Sequence, residues 1–310
     1  MNEFELIARL TPHLNRTAAV VRGAGDDCAV LDLGLPERFV LFKTDAVVEG
    51  IHFTADTEPE RVGHKALGRC LSDIAAMAGT PTAAVITLGL RRDFDPEYVE
   101  RLYGGINRLA RRYDVAVCGG ETIASPERHF LSVALVGTVA AGKFPTRAGA
   151  QPGDALFVTG RLGGSMAGKH LDFEPRLNEG RWLASHFAIH AMMDLSDGLA
   201  GDLRHLLRAS QVGAELLSSS IPISREAKLR ARGGSGVKPP LLAALTDGED
   251  FELLFAVSSR DAVKVLDAWR VAFSELPLTC IGKITSGSGI TLRDKDGARP
   301  LNVHGYTHFT

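Results

Sequence analysis

Both halves of this chain alternate β-rich runs with segments whose apolar residues recur every three or four positions. That alternation favours layered α/β or α+β architectures over all-helical and all-β ones. From Pro59 to Met77 the positions Val62, Ala66, Cys70, Ile74 and Met77 mark one helical stripe, with proline at its start. A second stripe, Val99, Leu102, Ile106, Leu109 and Tyr113, follows Asp95-Pro96. Strands are predicted at Arg38 to Asp45, Thr82 to Leu90, Val115 to Cys118 (ending in Gly119-Gly120) and His129 to Val139. Phe4, Ile7 and Leu10 behind Asn2 predict a short opening helix.

The run GKFPTRAGAQPGD concentrates glycine, proline and charge and is the best linker, so the boundary is set near residue 146, giving domains 1–145 and 146–310. Beyond it, strands are predicted at Ala155 to Thr159 and Phe251 to Val257, helices at Leu199 to Ala209 and Ala262 to Phe273, and a closing hairpin over Thr279 to Leu292. Ser224 to Lys238, rich in Arg, Gly and Lys, is expected to be a mobile loop.

With 310 residues, 45% apolar, and a formal charge of −2, the chain can bury two cores and has no electrostatic bias toward nucleic acid. Cys28, Cys70, Cys118 and Cys280 lack paired spacing, which disfavours zinc knuckles and disulfide frameworks and suits a reducing cytoplasm. No stretch approaches the ~18 uninterrupted apolar residues of a membrane span, and Glu3 and Glu5 stand where a signal peptide would be basic. The expectation is a soluble, untargeted protein.

Acidic residues cluster beside glycine, serine or threonine at the ends of predicted elements: Asp26-Asp27, Asp45, Glu121, Asp194, Asp197 and Glu249-Asp250. Alone, each reads as a cap or turn former. Asp73 does not, because it lies inside a helical stripe where aspartate is a poor former. Converging carboxylates would repel by about 4 kcal/mol per pair at ~4 Å and an effective dielectric of 20, so convergence requires a cation. A hard ion such as Mg²⁺, which binds few carboxylates together with substrate phosphates, is the expected one. Gly163 to His170 (GGSMAGKH) nearly spells a phosphate-binding loop, but His170 stands where Ser or Thr must hold the metal. The histidines form no zinc set: His52 and His64 are twelve apart, and His186 and His190 lack an adjoining glutamate.

The motifs GDDCAV, KTDAVVEGIHF, LSDIAAMAGTP, CGGET, TRAGAQPGD, GRLGGSMAG, MMDLSDGLAGDLRHLL, DGEDFELLF and GYTHF occur in the order of one family across nearly the whole chain. On these the sequence resembles the thiamine-monophosphate kinases, of the aminoimidazole ribonucleotide synthetase-like superfamily. The resemblance implies ATP-dependent phosphorylation of thiamine monophosphate to thiamine pyrophosphate by direct in-line transfer. It also implies two α/β domains and a homodimer whose N-terminal mixed sheets pair into a barrel. By the same resemblance Asp27, Thr44, Asp45, Asp73, Glu121, Asp194 and Asp197 are metal-site residues, with Asp27, Asp45, Asp73, Arg147 and Asp197 carrying catalysis. Gly120, Glu121, Arg147, Ser196 and Tyr103 would face ATP, and His52, Glu249 and Tyr306 the thiamine phosphate.

Four positions depart from the family pattern: Glu121 for aspartate, Lys43 for a small hydroxyl residue, Cys70 for asparagine and Asp247 for the first glycine of GGED. Lys43 would either pair with Glu121 or replace part of a cation's charge. Two other readings stay open: a relative with the same ATP and Mg²⁺ sites but another acceptor, and a weakened protein that binds nucleotide or thiamine phosphate without turnover.

Overall fold

The structure, a computed structural model, describes residues 3–233 and 236–307. The N-terminal half contains α1 (Glu3–Leu10), β1 (Val20–Arg22), β2 (Ala29–Leu31), β3 (Arg38–Val48), α2 (Pro59–Ala76), β4 (Thr80–Leu90), α3 (Pro96–Arg112), β5 (Ala116–Ala124) and β6 (Phe130–Ala140). The C-terminal half contains β7 (Ala155–Thr159), α4 (Lys169–Asp172), α5 (Leu177–His186), β8 (Ile189–Asp194), α6 (Leu199–Ser210), β9 (Gly213–Leu217) and α7 (Arg225–Arg230). It continues with α8 (Pro240–Thr246), β10 (Leu253–Val257), α9 (Ala262–Ala272), β11 (Leu278–Thr285), β12 (Gly289–Asp294) and β13 (Gly297–Pro300).

Two mixed sheets result. The first has the order β1-β2-β3-β6-β4-β5, antiparallel except for the β4–β5 pair. Helices α2 and α3 cover one of its faces. They approach closely because glycines stand at the crossing: a Cβ on Gly63 would lie 2.1 Å from Leu102 O, and one on Gly105 1.9 Å from Glu60 O. The other face stays open, with Phe42, Val85 and Ile123 all more than two-fifths exposed. The second sheet has the order β13-β12-β9-β11-β7-β10-β8, and its strands β7 and β10 are buried on both faces. Leu156 and Val158 of β7 pack with Leu199, Leu203 and Leu206 of α6; the alternate residue Phe157 packs on the other side with Leu183, Val265 and Trp269. The C-terminal turns of α2 touch this second sheet as well, with Ala76 in the same apolar cluster as Phe157 and Met192. Helix α2 is therefore the element that faces both layers.

Three expectations need correction. Strand β5 does not end at Gly119-Gly120 but runs through them to Ala124, the register against β4 shifting between Ala84 and Ile86 to absorb the extra residue. The closing hairpin does not exist: β11 and β12 flank β9, with Gly213 opposite both Thr285 and Gly289. Interposing β9 gives both of its edges hydrogen-bonding partners, which pairing β11 directly with β12 would deny it. The segment expected as a mobile loop carries α7, capped by Ser224, whose Oγ accepts from Ala227 N at 3.0 Å. The opening helix is present over Glu3–Leu10, while its proposed cap Asn2 lies outside the described residues, as do His308 and Phe309 of the GYTHF motif.

Candidate active site

Asp27 enters from the turn before β2, Asp73 from the last turns of α2 and Asp194 from the end of β8. All three are buried, and one carboxylate oxygen from each lies within 4.8 Å of the others. Arg147, from the linker between the sheets, donates to Asp27 Oδ1 from Nε at 3.1 Å and Nη2 at 2.5 Å, and Ser72 Oγ donates to Asp194 Oδ2 at 2.6 Å. Asp27 Oδ2 is buried and accepts no hydrogen bond. Burial, and then the charge of Asp27, pushes Asp194 up to about 7. Burial pushes Asp73 well above the carboxylate range, the charges of Asp45, Asp194 and Asp27 adding to the rise against the pull of Lys43. Three hard oxygen donors forced together, one with an orphaned oxygen, fit a divalent cation of the Mg²⁺ type.

The neighbouring charges follow from strand and helix periodicity. Leu41, Lys43, Asp45 and Val47 of β3 point toward α2, while Phe42, Thr44 and Ala46 point to the open face. Lys43 Nζ sits 2.9 Å from Asp73 Oδ1 and 3.7 Å from Asp45 Oδ2. Burial opposes ionisation of Asp45, but the charges of Lys43 and Arg69 outweigh it and hold its carboxyl below the ordinary range. On α2, Lys65, Arg69 and Asp73 share one face at four-residue spacing. Lys65, 1% exposed, donates to His52 O at 2.7 Å and to Glu249 Oε2 at 2.5 Å. Burial lowers it to about 8 against the pull of Glu249. Arg69 lies 3.4 Å from Glu249 Oε1 and 3.6 Å from Asp45 Oδ1, and its Nε is buried without a partner. Lys65 and Arg69 were missed in the sequence. Their signal is two cations at i, i+4 beside the apolar stripe of a helix that already carries an out-of-place aspartate.

A pocket next to these charges is lined by His52, Arg69, Ser196, Asp197, Glu249 and Tyr306, joined by Met166 and Asp247. Residues far apart in sequence thus share one cavity. Its floor is a strained turn: Glu249 and Phe251 hold positive φ (54° and 50°), fixed by Glu249 N donating to Ser196 O at 2.6 Å and Phe251 N to Leu195 O at 2.8 Å. Tyr306 N donates to Asp197 O at 2.9 Å, fastening the C-terminal segment to the rim. Glu249 is already shared by Lys65 and Arg69.

The near-match to a phosphate loop is occupied by protein. Gly163 N donates to both oxygens of Asp250 at 3.0 Å, Gly164 N donates to Asp247 Oδ2 at 2.9 Å, and Lys169 Nζ is 2.7 Å from Glu252 Oε1. Asp247, the departure from GGED, also pairs with Arg230 at 2.5 Å and Lys238 at 2.9 Å, tying α7 and the following segment to the pocket rim. His170 is buried with Nδ1 2.9 Å from Ser165 O.

Other expected site residues lie elsewhere in the chain. The Thr44 hydroxyl is on the open face, 3.3 Å from Ser132 Oγ. Gly120 and Glu121 are on the edge strand β5, three strand spacings from β3, or roughly 14 Å at ~4.8 Å each. Tyr103 packs half-buried against the N-terminal core from α3. Cys70 is buried, its thiol donating to Val133 O at 3.4 Å. Lys43 pairs with Asp73 and Asp45, not with Glu121.

Two family models match the chain: the N-terminal domain of AIR synthase related proteins over residues 25–139 and the C-terminal domain over residues 167–295. A thiamine-monophosphate kinase of Rhodopirellula baltica is 36% identical over 94% of this chain and 92% of its own length. That of Escherichia coli K12 is 33% identical over 99% of this chain and 98% of its own. A solved structure described as AaThiL complexed with AMPPCP and TMP superposes with a TM-score of 0.85 at 33% identity, over 99% of this chain and 97% of that one. On an architecture of two mixed α/β sheets with full-length relatives of this kind, the chain belongs to the thiamine-monophosphate kinase family.

Proposed function

We propose that this protein transfers the γ-phosphoryl group of ATP to thiamine monophosphate, giving thiamine pyrophosphate and ADP. The observation that carries the reading is an unbroken chain of opposite charges, Glu249–Arg69–Asp45–Lys43–Asp73, leading from the pocket to the buried carboxylates Asp27, Asp73 and Asp194. A relative of the same fold, 33% identical, is described in complex with AMPPCP and TMP.

The acceptor is a phosphate whose second pKa near 6 leaves it mostly dianionic at pH 7, so no strong base is needed and the obstacle is repulsion between two anions. Asp27, Asp73 and Asp194 would hold Mg²⁺, which when bound supplies charge neutralisation. Arg147 fixes Asp27 at the edge of that group. Arg69, which lines the pocket, is suited to the acceptor phosphate. Tyr306 offers an aromatic face to the cationic thiazolium. Glu249, whose charge is taken up by Lys65 and Arg69, acts by positioning Arg69. Burial pushes the Cys28 and Cys70 thiols well up, which disfavours a covalent phosphoenzyme on either.

The boundary between the two halves is set near residue 146, and both would hold the metal, Asp27 and Asp73 from the first and Asp194 from the second. A second copy of the chain covers the open face of the first sheet, because Phe42, Val85 and Ile123 make that face apolar. Glu121 lies beside Ile123 on the same edge strand, so Gly120 and Glu121 would lie at the edge of that interface. The cytoplasm, where ATP is abundant, is the expected compartment. The test is purified protein with ATP, Mg²⁺ and thiamine monophosphate, followed for thiamine pyrophosphate and ADP. ADP without thiamine pyrophosphate, or consumption of ATP only with another acceptor, would overturn the reading.

A further inference from the structure

We propose that Lys43 is a tethered counter-ion that fills the Asp45–Asp73 side of the acidic group, so that this chain takes one divalent ion fewer there than it would with a small residue at position 43. The inference rests on the reading that Asp27, Asp73 and Asp194 hold a divalent ion, and it concerns how many such ions the site accepts.

The strand geometry puts this lysine where a charge is otherwise costly. On β3 it lies between Leu41 and Val47 on the face covered by α2, and its side chain is 23% exposed. Its ammonium reaches Asp73 Oδ1 at 2.9 Å and Asp45 Oδ2 at 3.7 Å, bridging two carboxylates as an ion would. The orphaned oxygen belongs to Asp27, on the other side of the group. Asp45 is absent from the set whose oxygens lie within 4.8 Å of one another; its charge is met by Lys43 and by Arg69 at 3.6 Å.

Counting charges gives the same result. Asp27, Asp45, Asp73 and Asp194 face Lys43, Arg69 and Arg147, so the ionised group lacks one positive charge. One divalent ion reverses that sign and leaves the site attractive to anionic reactants. Without the lysine the deficit doubles, one divalent ion only neutralises it, and a second is needed before the site carries any positive excess.

The test counts Mn²⁺ bound per chain by electron paramagnetic resonance, without ATP or thiamine monophosphate. The parent should bind one ion at this site. Lys43→Ser and Lys43→Met should each bind one more, and Lys43→Arg should not. Asp45→Asn should change the parent's Mn²⁺ affinity by no more than about twofold, and should abolish the additional ion in the Lys43→Ser background. Equal ion counts with affinities within twofold in parent, Lys43→Ser and Lys43→Met would overturn the proposal. So would loss of the parent's ion in Asp45→Asn, a measurement that stands even if the Lys43 variants fail to fold. Because the ions are counted without substrates, failure of the kinase reading, seen as no thiamine pyrophosphate from the parent, is a separate result.

Discussion

Replacing Glu249 by glutamine keeps the shape of the turn and removes the charge shared by Arg69 and Lys65, the latter an ammonium 1% exposed whose other partner is the carbonyl of His52. Lys65 titrates at about 8 in the folded protein against an ordinary value of 10.5, because burial outweighs the pull of Glu249. Its folded pKa lies below the unfolded one, so the unfolded state holds the proton longer and stability rises with pH between the two values. Without Glu249 the folded pKa falls further, and the variant relinquishes the proton at a pH where the parent still keeps it. Each unit by which pH lies below 8 then costs the variant about 1.4 kcal/mol relative to the parent, until its own lowered pKa is reached. The deficit should be about 1.4 kcal/mol at pH 7, about 3 at pH 6 and almost nil at pH 9, plus up to ~1 kcal/mol, independent of pH, from the looser Arg69 contact. Urea unfolding at pH 6, 7 and 9 measures it, and Lys65→Met combined with Glu249→Gln should flatten the pH dependence. A deficit that is constant from pH 6 to 9, or that grows with pH, would refute the buried-cation argument.

Asp194 shows the opposite sign: its folded pKa is raised to about 7 by burial and by Asp27, so the ion-free protein should lose stability as pH climbs from about 4 to 7, by at most ~4 kcal/mol. The rise in melting temperature on adding Mg²⁺ should therefore be larger at pH 8 than at pH 5, and an equal rise would count against a metal at this group. Glu252 is buried with Lys169 at 2.7 Å and Arg176 at 2.7 Å, and these cations overcome burial to hold its carboxyl down at about 2. Glu252→Gln should destabilise the protein by about 3–5 kcal/mol, read by calorimetry, and a loss under ~1 kcal/mol would mean that the two cations find other partners. Tyr306→Ala should raise KM for thiamine monophosphate roughly tenfold, in line with a cation–π contact of about 1–2 kcal/mol, and leave KM for ATP unchanged. A change in both constants would point instead to a collapsed rim.

Elements whose apolar period is strong were legible in the sequence: the stripe from Pro59 became α2, and Ala155 to Thr159, apolar on both faces, became the interior strand β7. The failures share a cause, since each depended on a partner distant in sequence. β11 and β12 looked like a hairpin because only Ser286, Gly287 and Ser288 join them, and nothing local announces that β9, which precedes both α7 and α8 in the chain, lies between them. Gly119 and Gly120 looked like a strand end, yet pairing with β4 carries the backbone through. The basic segment after Ser224 looked mobile, but Asp247 pairs with both Arg230 and Lys238 and ties them to the pocket rim.

The same limit explains which part of the site could be read. Acidic residues beside glycine, and an aspartate inside a helix, are visible one at a time, so Asp27, Asp73 and Asp194 could be named before any geometry existed. Among their counter-charges, Lys43 and Arg147 could be named but not matched to their acids, and Lys65 and Arg69 were not visible, because every decisive pairing crosses from one element to another: Lys43 to Asp73, Arg69 to Asp45, Arg147 to Asp27, Lys65 to Glu249. Carboxylates repel unless something positive stands between them, so the identity of that positive group determines what the cluster can bind. Here part of it is covalently attached to β3. A chain can therefore keep the family's acids and still change its demand for metal through one side chain, and that change becomes readable only when Lys43 is seen facing Asp73.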